Sequence, residues 1–382
     1  MTAHAPRVFF YVQHLLGIGH LARASRIADA LGGDGFEVTM ITGGTPVTGF
    51  PGPGIRHVAL PPVVAGDAGF SGLRDTDGRE VDEAFKQRRC ELLLAAFRDC
   101  RPDIVMIEAF PFGRRQVRFE LIPLLKEIHM QRPRPRVVCS LRDILQERAK
   151  PGRDAESIAL VRDYFDLVVV HGDPAFVRLE ETFGPAKQIS DKIAYSGLVA
   201  APPPARIADR FDVVVSAGGG AVGAGLVRAA AEAARRLPGS GAWCLIAGPN
   251  LPQSDFDALT TAAPPNAAVV RFRKDFPALV ANARLSVSQA GYNTVCDLLR
   301  ARCRSLLVPF ASGGETEQTV RADRLQQLGL AHVLPEASLS PDRLTDAVQR
   351  ALSADTPPTL MLGLDGAGGT ARILRQLLSQ RP

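Results

Sequence analysis

The sequence predicts an α/β protein of two doubly wound, Rossmann-like domains in succession, and three features of its 382 residues carry that prediction. Short apolar runs of strand length alternate with segments of helical period, the pattern of parallel sheets covered by helices on both faces. The alternation breaks once, at the stiff, aperiodic AAPPPARIADR from Ala200 to Arg210, and then restarts. Glycine-bearing polar loops stand between strand and helix in both halves, where an open parallel sheet places its ligand crevice. The division is therefore a first domain over 1–200, a proline-rich linker at 201–206 and a second domain over 207–382, with the last helix a candidate to pack back on the first domain.

In the first domain, Arg7 to Val12 is a buried strand, and HLLGIGHLARASRIADALGGDG is a glycine turn running into a helix that stops at Gly32 and Gly33. Leu21, Ala24, Ile27, Ala28 and Leu31 keep helical spacing there, with arginines on the other face. A strand at Glu37 to Thr42, a long loop rich in glycine and proline and a helix from about Glu80 to Cys100 follow. Next come a strand at Ile104 to Ile107, a helix at Phe119 to His129 and strands at Val137 to Leu141, Leu167 to His171 and Ile193 to Tyr195.

The second domain opens with a strand at Asp212 to Ser216, the loop GGGAVGAG and a helix at Leu226 to Leu237. A strand at Trp243 to Ala247, a loop from Gly248 onward and a strand at Ala268 to Arg271 lead to the stretch from Arg284 to Gly329. That stretch reads as strand (Leu285 to Ser288), tight turn at Ala290 and Gly291, helix to about Arg302, strand (Ser305 to Pro309), polar loop and a helix starting near Glu317. Helices at Asp342 to Leu352 and Thr370 to Leu378 close the chain.

Composition narrows the function classes. A net charge of +5, spread without a polybasic block, argues against nucleic acid as a partner. The six cysteines form no C-x-x-C and have no paired histidine spacing, so zinc and dithiol chemistry are not expected, and neither is any other metal site. No apolar run approaches the roughly 18 residues of a membrane span, and VFFYV is too short for a signal core, so a cytoplasmic location is expected.

Four groups of residues qualify as a site. In GIGHLAR, glycines let the chain turn tightly after the first strand, Gly19 is a candidate donor contact, and His20 sits in the first turn of the following helix, facing the crevice. An imidazole titrating near neutrality can take a proton from a hydroxyl or a water, although a histidine there would equally serve to order the loop. In SAGGGAVGAG, Ser216, Gly218, Gly219, Gly220 and Ala221 can present backbone N–H groups to a phosphate, yet no Gly-Lys-Ser/Thr of a Walker loop follows. No acidic residue ends the next strand either, so a dinucleotide and hydride chemistry are not expected. The third group is Gln289, Gly291, Asn293, Thr294 and Asp297 with Gly314, Glu317 and Gln318, on two loops that an open sheet would bring to one crevice. A carboxylate at Asp297 can accept two ribose hydroxyls or be a solvated helix charge, and Glu317 and Gln318 can hold sugar hydroxyls, while an acidic residue also suits a helix start on electrostatic grounds alone. The fourth is Glu108 with Arg114 and Arg115, and Arg142 with Asp143, at the ends of apolar strands; Glu108, set in VMIEAFPF, is the carboxylate most in need of a partner.

These residues resemble the two-domain nucleotide-sugar glycosyltransferases of the GT-B fold, and most of all glycosyltransferase family 28. SQAGYNTVCDLL followed by LLVPFASGGETEQTVRADRLQQLG is similar to that family's C-terminal signature. The resemblance implies two domains facing each other across a cleft. It puts Asp297 where a glutamate usually binds the ribose, and Glu317 and Gln318 where a polar pair holds the donor sugar; Arg321 replaces the usual asparagine. It makes Ser216 and Gly218 to Ala221 the diphosphate loop, and FRKDF, with Phe272 and Arg273, the loop whose backbone reads the base. GIGHLAR is closer to the G-x-G-H-x-x-R of related nucleotide-sugar hydrolases, in which the histidine activates water.

The resulting expectation is an inverting, metal-independent glycosyltransferase without a cofactor, using a nucleotide-diphosphate sugar, in the first instance a uridine diphosphate sugar. His20 and Glu108 are the catalytic candidates, and the acceptor is a small or lipid-linked molecule, with at most peripheral membrane contact. A hydrolase or epimerase working in the same cleft is the alternative, and a binding protein without turnover the second.

Overall fold

The computed structural model describes residues 5–15, 19–66, 72–146, 152–205, 207, 209–218, 223–359 and 361–380. The chain divides into two units, Met1–Val199 with Asp365–Pro382, and Ala200–Leu364.

The first unit runs β1 (Arg7–Val12), α1 (Gly19–Gly33), β2 (Glu37–Thr42), β3 (Arg56–Ala59), a small hairpin of β4 (Val64–Ala65) and β5 (Leu73–Arg74), α2 (Glu83–Cys100), β6 (Ile104–Glu108), α3 (Arg118–Met130), β7 (Arg136–Arg142), α4 (Arg153–Tyr164), β8 (Leu167–His171), α5 (Leu179–Thr182) and β9 (Ile193–Tyr195). Seven strands form a parallel sheet in the order β3-β2-β1-β6-β7-β8-β9. β1 lies inside the sheet, and its alternating side chains supply both faces, which is why its sequence is apolar from Val8 to Val12. Phe9 and Tyr11 join a core with Leu93, Leu121 and Ile158 of the helices on one side. Val8, Phe10 and Val12 join Leu21, Ala24 and Ile27 of α1 on the other.

The chain's last helix, Gly366–Ser379, belongs to this unit and adds Ala371, Leu374 and Leu377 to the α1 side. Its glycines permit the approach: a Cβ at Gly369 would stand 2.0 Å from the Ser196 carbonyl oxygen, and one at Gly366 2.2 Å from that of Gly197.

A buried polar hub ties the loops after β1, β2 and β3 together. Arg89 of α2 donates from Nε and Nη2 to both oxygens of Glu120 (2.6 and 2.9 Å), from Nη2 to Gln13 (2.5 Å), and from Nη1 to the carbonyls of Gly43 (2.9 Å) and Pro61 (2.5 Å). Tyr11 donates its hydroxyl to Glu120. Arg89, Glu120, Tyr11 and Gln13 are all fully buried, so each charge and dipole depends on the others. A Cβ at Gly43 would lie 2.0 Å from Arg89, so only glycine closes this corner.

His171, at the end of β8, is likewise buried, with Nε2 2.7 Å from Ser140 Oγ and Nδ1 2.9 Å from Ser196 Oγ. Burial, reinforced by the charge of Arg23, pushes its imidazole down to about 3. In the unfolded chain it protonates near ~6.5, whereas the folded chain keeps it neutral until about 3. Unfolding therefore takes up a proton throughout that window, and stability falls as pH drops through it. Thermal melts should show the decline from pH ~6.5 downward, and His171→Gln, which cannot titrate, should make it shallower, with the buried His20 still contributing down to about 4; an unchanged slope would count against this assignment.

The second unit runs β10 (Val213–Ser216), α6 (Ala224–Arg236), β11 (Trp243–Ile246), α7 (Gln253–Ala262), β12 (Ala267–Val270), α8 (Phe276–Asn282), β13 (Leu285–Ser288), α9 (Tyr292–Ala301), β14 (Ser305–Leu307), α10 (Glu317–Gln327), β15 (His332–Val333) and α11 (Pro341–Ser353). Six parallel strands lie in the order β12-β11-β10-β13-β14-β15. The alanine-rich face of α6 packs with Leu344, Ala347 and Val348 of α11 over β10, β11 and β13.

Both doubly wound sheets are as the sequence predicts, with local differences. α7 occupies part of the stretch expected to be loop; its only buried residue is Leu259, which leaves little apolar periodicity to read. β3 was not anticipated, because Arg56–Ala59 is an exposed edge strand inside a glycine- and proline-rich stretch. β14 ends at Leu307 rather than Pro309, consistent with a proline having no N–H to give a ladder.

Candidate functional site

In each unit the strand order reverses once, and that reversal opens a crevice at the carboxyl ends of the two strands beside it. In the first unit the chain builds outward from β1 through β2 to β3, then returns to the other side of β1 with β6 and continues to β9. His20 follows β1 on the first turn of α1, and Glu108 is the last residue of β6.

Although 88 positions apart, these two meet: His20 Nδ1 is 2.7 Å from Glu108 Oε1. Arg23, one turn beyond His20 on α1, also donates to Glu108 Oε1. The carboxylate is almost fully buried and the histidine side chain one-fifth exposed. Burial pushes the Glu108 carboxyl up, but His20 and the guanidiniums of Arg23 and Arg114 outweigh that and hold it below the ordinary carboxylate range. An ionised carboxylate only accepts, so Nδ1 carries the imidazole proton and the lone pair lies on Nε2. Burial also pushes His20 down to about 4; Arg114 and Arg23 act in the same direction and Glu108 opposes them. At neutral pH the pair is thus a neutral imidazole oriented by a carboxylate, an arrangement able to accept a proton at Nε2. Gly19 opens α1; the rest of the glycine turn before it, Gly17 and Ile18, lies outside the described residues.

Of the other charges at this end, Arg115 and Arg118 both pair with Glu156, and Asp143 is buried, one oxygen accepting from the Ile144 N–H at 2.9 Å. His14, just past β1, is 2.7 Å from the Thr45 carbonyl through Nε2.

In the second unit the reversal falls between β10 and β13. Ser216 ends β10, and Gly218 behind it takes φ +73°, with its N–H 3.4 Å from Ser216 Oγ. Gln289 follows β13, donates its N–H to the Ser216 carbonyl (3.2 Å) and brings its side chain against Gly218, where an added Cβ would stand 2.9 Å from Oε1. Gly219, Gly220 and Ala221 lie outside the described residues. Gly291 caps α9, and Asn293 and Thr294 occupy its first turn, so their N–H groups point toward the same edge. Gly291 has ordinary negative φ and no heavy atom within 4 Å of a hypothetical Cβ; its value is open space rather than backbone freedom. Asp297 is buried on α9.

Gln318 joins the loops after β13 and β14, its Oε1 accepting from the N–H groups of Ala290 (3.0 Å) and Phe310 (3.2 Å). Glu317 is buried and accepts from Arg321 at 2.7 Å, while Arg321 also donates to the Ala290 carbonyl at 2.9 Å. Gly314 takes φ +79° in the exposed loop before them. Phe272 is exposed, and Arg273 is drawn away by Asp275 (2.6 and 2.7 Å) and Asp209 (2.8 Å).

Sequence reasoning gave Arg23 and Arg321 no partner. Arg23 was legible in principle, since it lies three positions after His20 on one helix face. A cavity of about 190 Å³ lined by Val295, Leu298, Arg302, Ser305, Leu307 and Leu325 includes none of these groups.

Residues 214–360 match the glycosyltransferase family 28 C-terminal domain. The chain is 43% identical over 94 residues to the UDP-N-acetylglucosamine--N-acetylmuramyl-(pentapeptide) pyrophosphoryl-undecaprenol N-acetylglucosamine transferase of Nitrosococcus oceani, covering 25% of this chain and 26% of that protein. The transferase of the same name from Methylorubrum extorquens is 33% identical over 103 residues, 27% of each chain. The alignments thus span about a quarter of these curated relatives. Over nearly the whole chain the structure is similar to the glycotransferase of kitacinnamycin (TM-score 0.66, 15% identity, 99% of this chain and 100% of that one) and to MurG of Acinetobacter baumannii (TM-score 0.61, 14% identity, 97% and 100%). The fold is thus the one these two glycosyltransferase structures share, and most of the second unit is similar to the family 28 C-terminal domain.

Proposed function

We propose that the chain is an inverting, metal-independent glycosyltransferase of the cytoplasm that moves a sugar from a uridine diphosphate sugar to the hydroxyl of a small or lipid-linked acceptor. The family 28 match carries this reading, because it spans Gly218, Gln289, Asp297, Glu317 and Gln318 in one stretch. The second unit would hold the donor: N–H groups of the Gly218 loop and the first turn of α9 meet the diphosphate, and the helix dipole favours the charge that develops as it leaves. Asp297 accepts the ribose hydroxyls. Gln318, its oxygen already taken by backbone, offers its side-chain N–H groups to the sugar, and Glu317 is held in place by Arg321. His20 Nε2 removes the acceptor proton, Glu108 fixing the tautomer, and the oxygen attacks the anomeric carbon opposite the departing diphosphate, which inverts that centre.

One observation favours a second reading, a hydrolase: a neutral imidazole backed by a buried carboxylate activates water as readily as a hydroxyl. Nucleotide release separates the two. A transferase releases uridine diphosphate slowly until its acceptor is added, a hydrolase at full rate in water alone. The first measurement is a thermal-shift screen of nucleotide sugars, since a ligand of the folded state raises its melting temperature. Failure of every uridine diphosphate sugar to do so would remove the donor assignment. Gly218→Val should weaken uridine diphosphate binding about tenfold or more, the equivalent of ~1.4 kcal/mol, by forcing a branched side chain into positive φ and against Gln289. Titration calorimetry checks this, and undiminished affinity would move the diphosphate elsewhere.

A further inference from the structure

We propose that the first unit holds an anion subsite at Arg114, beside the His20–Glu108 pair, that takes a carboxylate or phosphate group of the acceptor. The proposal rests on the reading of this crevice as the acceptor side.

Arg114 ends the loop that follows β6 and stands at φ +57°, ψ +31°, a left-handed conformation that a long side chain adopts only where its surroundings hold it. Its Nε is buried and has no hydrogen-bond partner among the described residues. Of the neighbouring carboxylates, Glu156 pairs with Arg115 and Arg118, and Glu108 meets His20 and Arg23 through Oε1 alone; its Oε2, buried like Arg114 Nε, has no hydrogen-bond partner among the described residues, so the two groups face each other's charge without a bond between them. Strand register brings more positive charge to the same edge. Glu108 of β6 lies opposite Ser140 of β7, and β7 ends two residues later at Arg142.

Burial pushes the Arg114 guanidinium down, Glu108 opposes this only in part, and the charges of Arg142 and Arg23 add to the unfavourable side. Arg114 also lies close enough to His14 and His20 to lower both. A guanidinium whose buried Nε has no hydrogen-bond partner among the described residues, and which feels two further arginines, favours an anion with acceptor oxygens in a plane, and carboxylates and phosphates supply them. An acceptor carrying such a group would be anchored next to the imidazole that takes its proton, turning charge recognition into orientation of the attacking hydroxyl.

The test uses the full chain saturated with uridine diphosphate, so that the donor loop is already occupied, with inorganic phosphate as the probe and acetate at matched ionic strength as the second arm. Phosphate is expected to move the His20 ring resonances and to bind about tenfold or more weakly to Arg114→Gln, with Arg114→Lys in between because it keeps the charge and loses the fork. Equal phosphate affinity in wild type and Arg114→Gln overturns the proposal, as does the absence of any phosphate-dependent His20 shift in the wild type. That wild-type titration decides the matter even if Arg114→Gln fails to fold. Acetate competing as well as phosphate identifies a carboxylate group, and phosphate alone identifies a phosphate. Anion binding at Arg114 in a protein with no transferase activity leaves the subsite standing and removes the acceptor reading, while transfer without anion binding removes the subsite alone.

Discussion

His20→Ala should lower kcat by about 10²–10⁴-fold while leaving uridine diphosphate affinity nearly unchanged. The loss has the size of a positioned general base, and the donor candidates lie on the other unit. Glu108→Gln should also reduce kcat, because an amide, which can offer an N–H as well as an oxygen, fixes the proton on Nδ1 less firmly and Arg23 loses its anionic partner. Glu108 itself is a poor proton acceptor, since its carboxyl is held below the ordinary range. The pH profile supplies an independent check. A base that titrates at about 4 keeps its lone pair down to that pH, so kcat/KM should hold across pH 6.5 and fall only on acidification toward 4. Nucleotide release at saturating donor, with and without acceptor, measures all three. Normal turnover by His20→Ala together with a dead Glu108→Gln would transfer the base role to Glu108, and an acid limb at 6.5 would mean that the imidazole is solvated in the working enzyme.

The second large effect is on folding. Arg89→Met removes the only cation of a fully buried hub and leaves Glu120, Gln13 and two backbone carbonyls without their donor. An unpaired buried carboxylate costs about 3–5 kcal/mol, enough to unfold a marginal domain. Adding Glu120→Gln should recover part of the loss, because a neutral amide is less costly to bury unpaired than a charge. The single tryptophan, Trp243, lies in the second unit, so its fluorescence reports that unit while far-UV circular dichroism reports both. In urea, Arg89→Met should move the dichroism transition to lower denaturant and the Trp243 transition much less. A shift worth under ~1 kcal/mol would show that the hub is hydrated rather than buried.

How much of this was legible in the chain depended on distance along it. The central strands were readable because both faces of β1, β6 and β8 are covered, and a doubly buried strand writes itself as an unbroken apolar run. Helices α1, α9 and α10 were readable from their period, and the loops after β1, β10 and β13 from their glycines and their place between strand and helix. Those are properties of windows a dozen residues wide. The edge strand β3 and helix α7 bury too little to leave a pattern.

By itself, then, the sequence determined the fold class, the order of strands and helices, and which loops end at a sheet edge, since backbone sterics and hydrophobic period act locally. Only the tertiary structure decided which side chains meet. His20 and Glu108 pair because β1 and β6 are neighbours at the point where strand order reverses, a fact held by no segment containing either. Tertiary packing likewise gave Glu317 to Arg321, Arg273 to Asp275 and Asp209, and the Gln318 oxygen to two backbone amides, while leaving Arg114 Nε without a partner among the described residues. A charge chooses its partner by distance in space and by the cost of burial, and both come into being only when the sheets close.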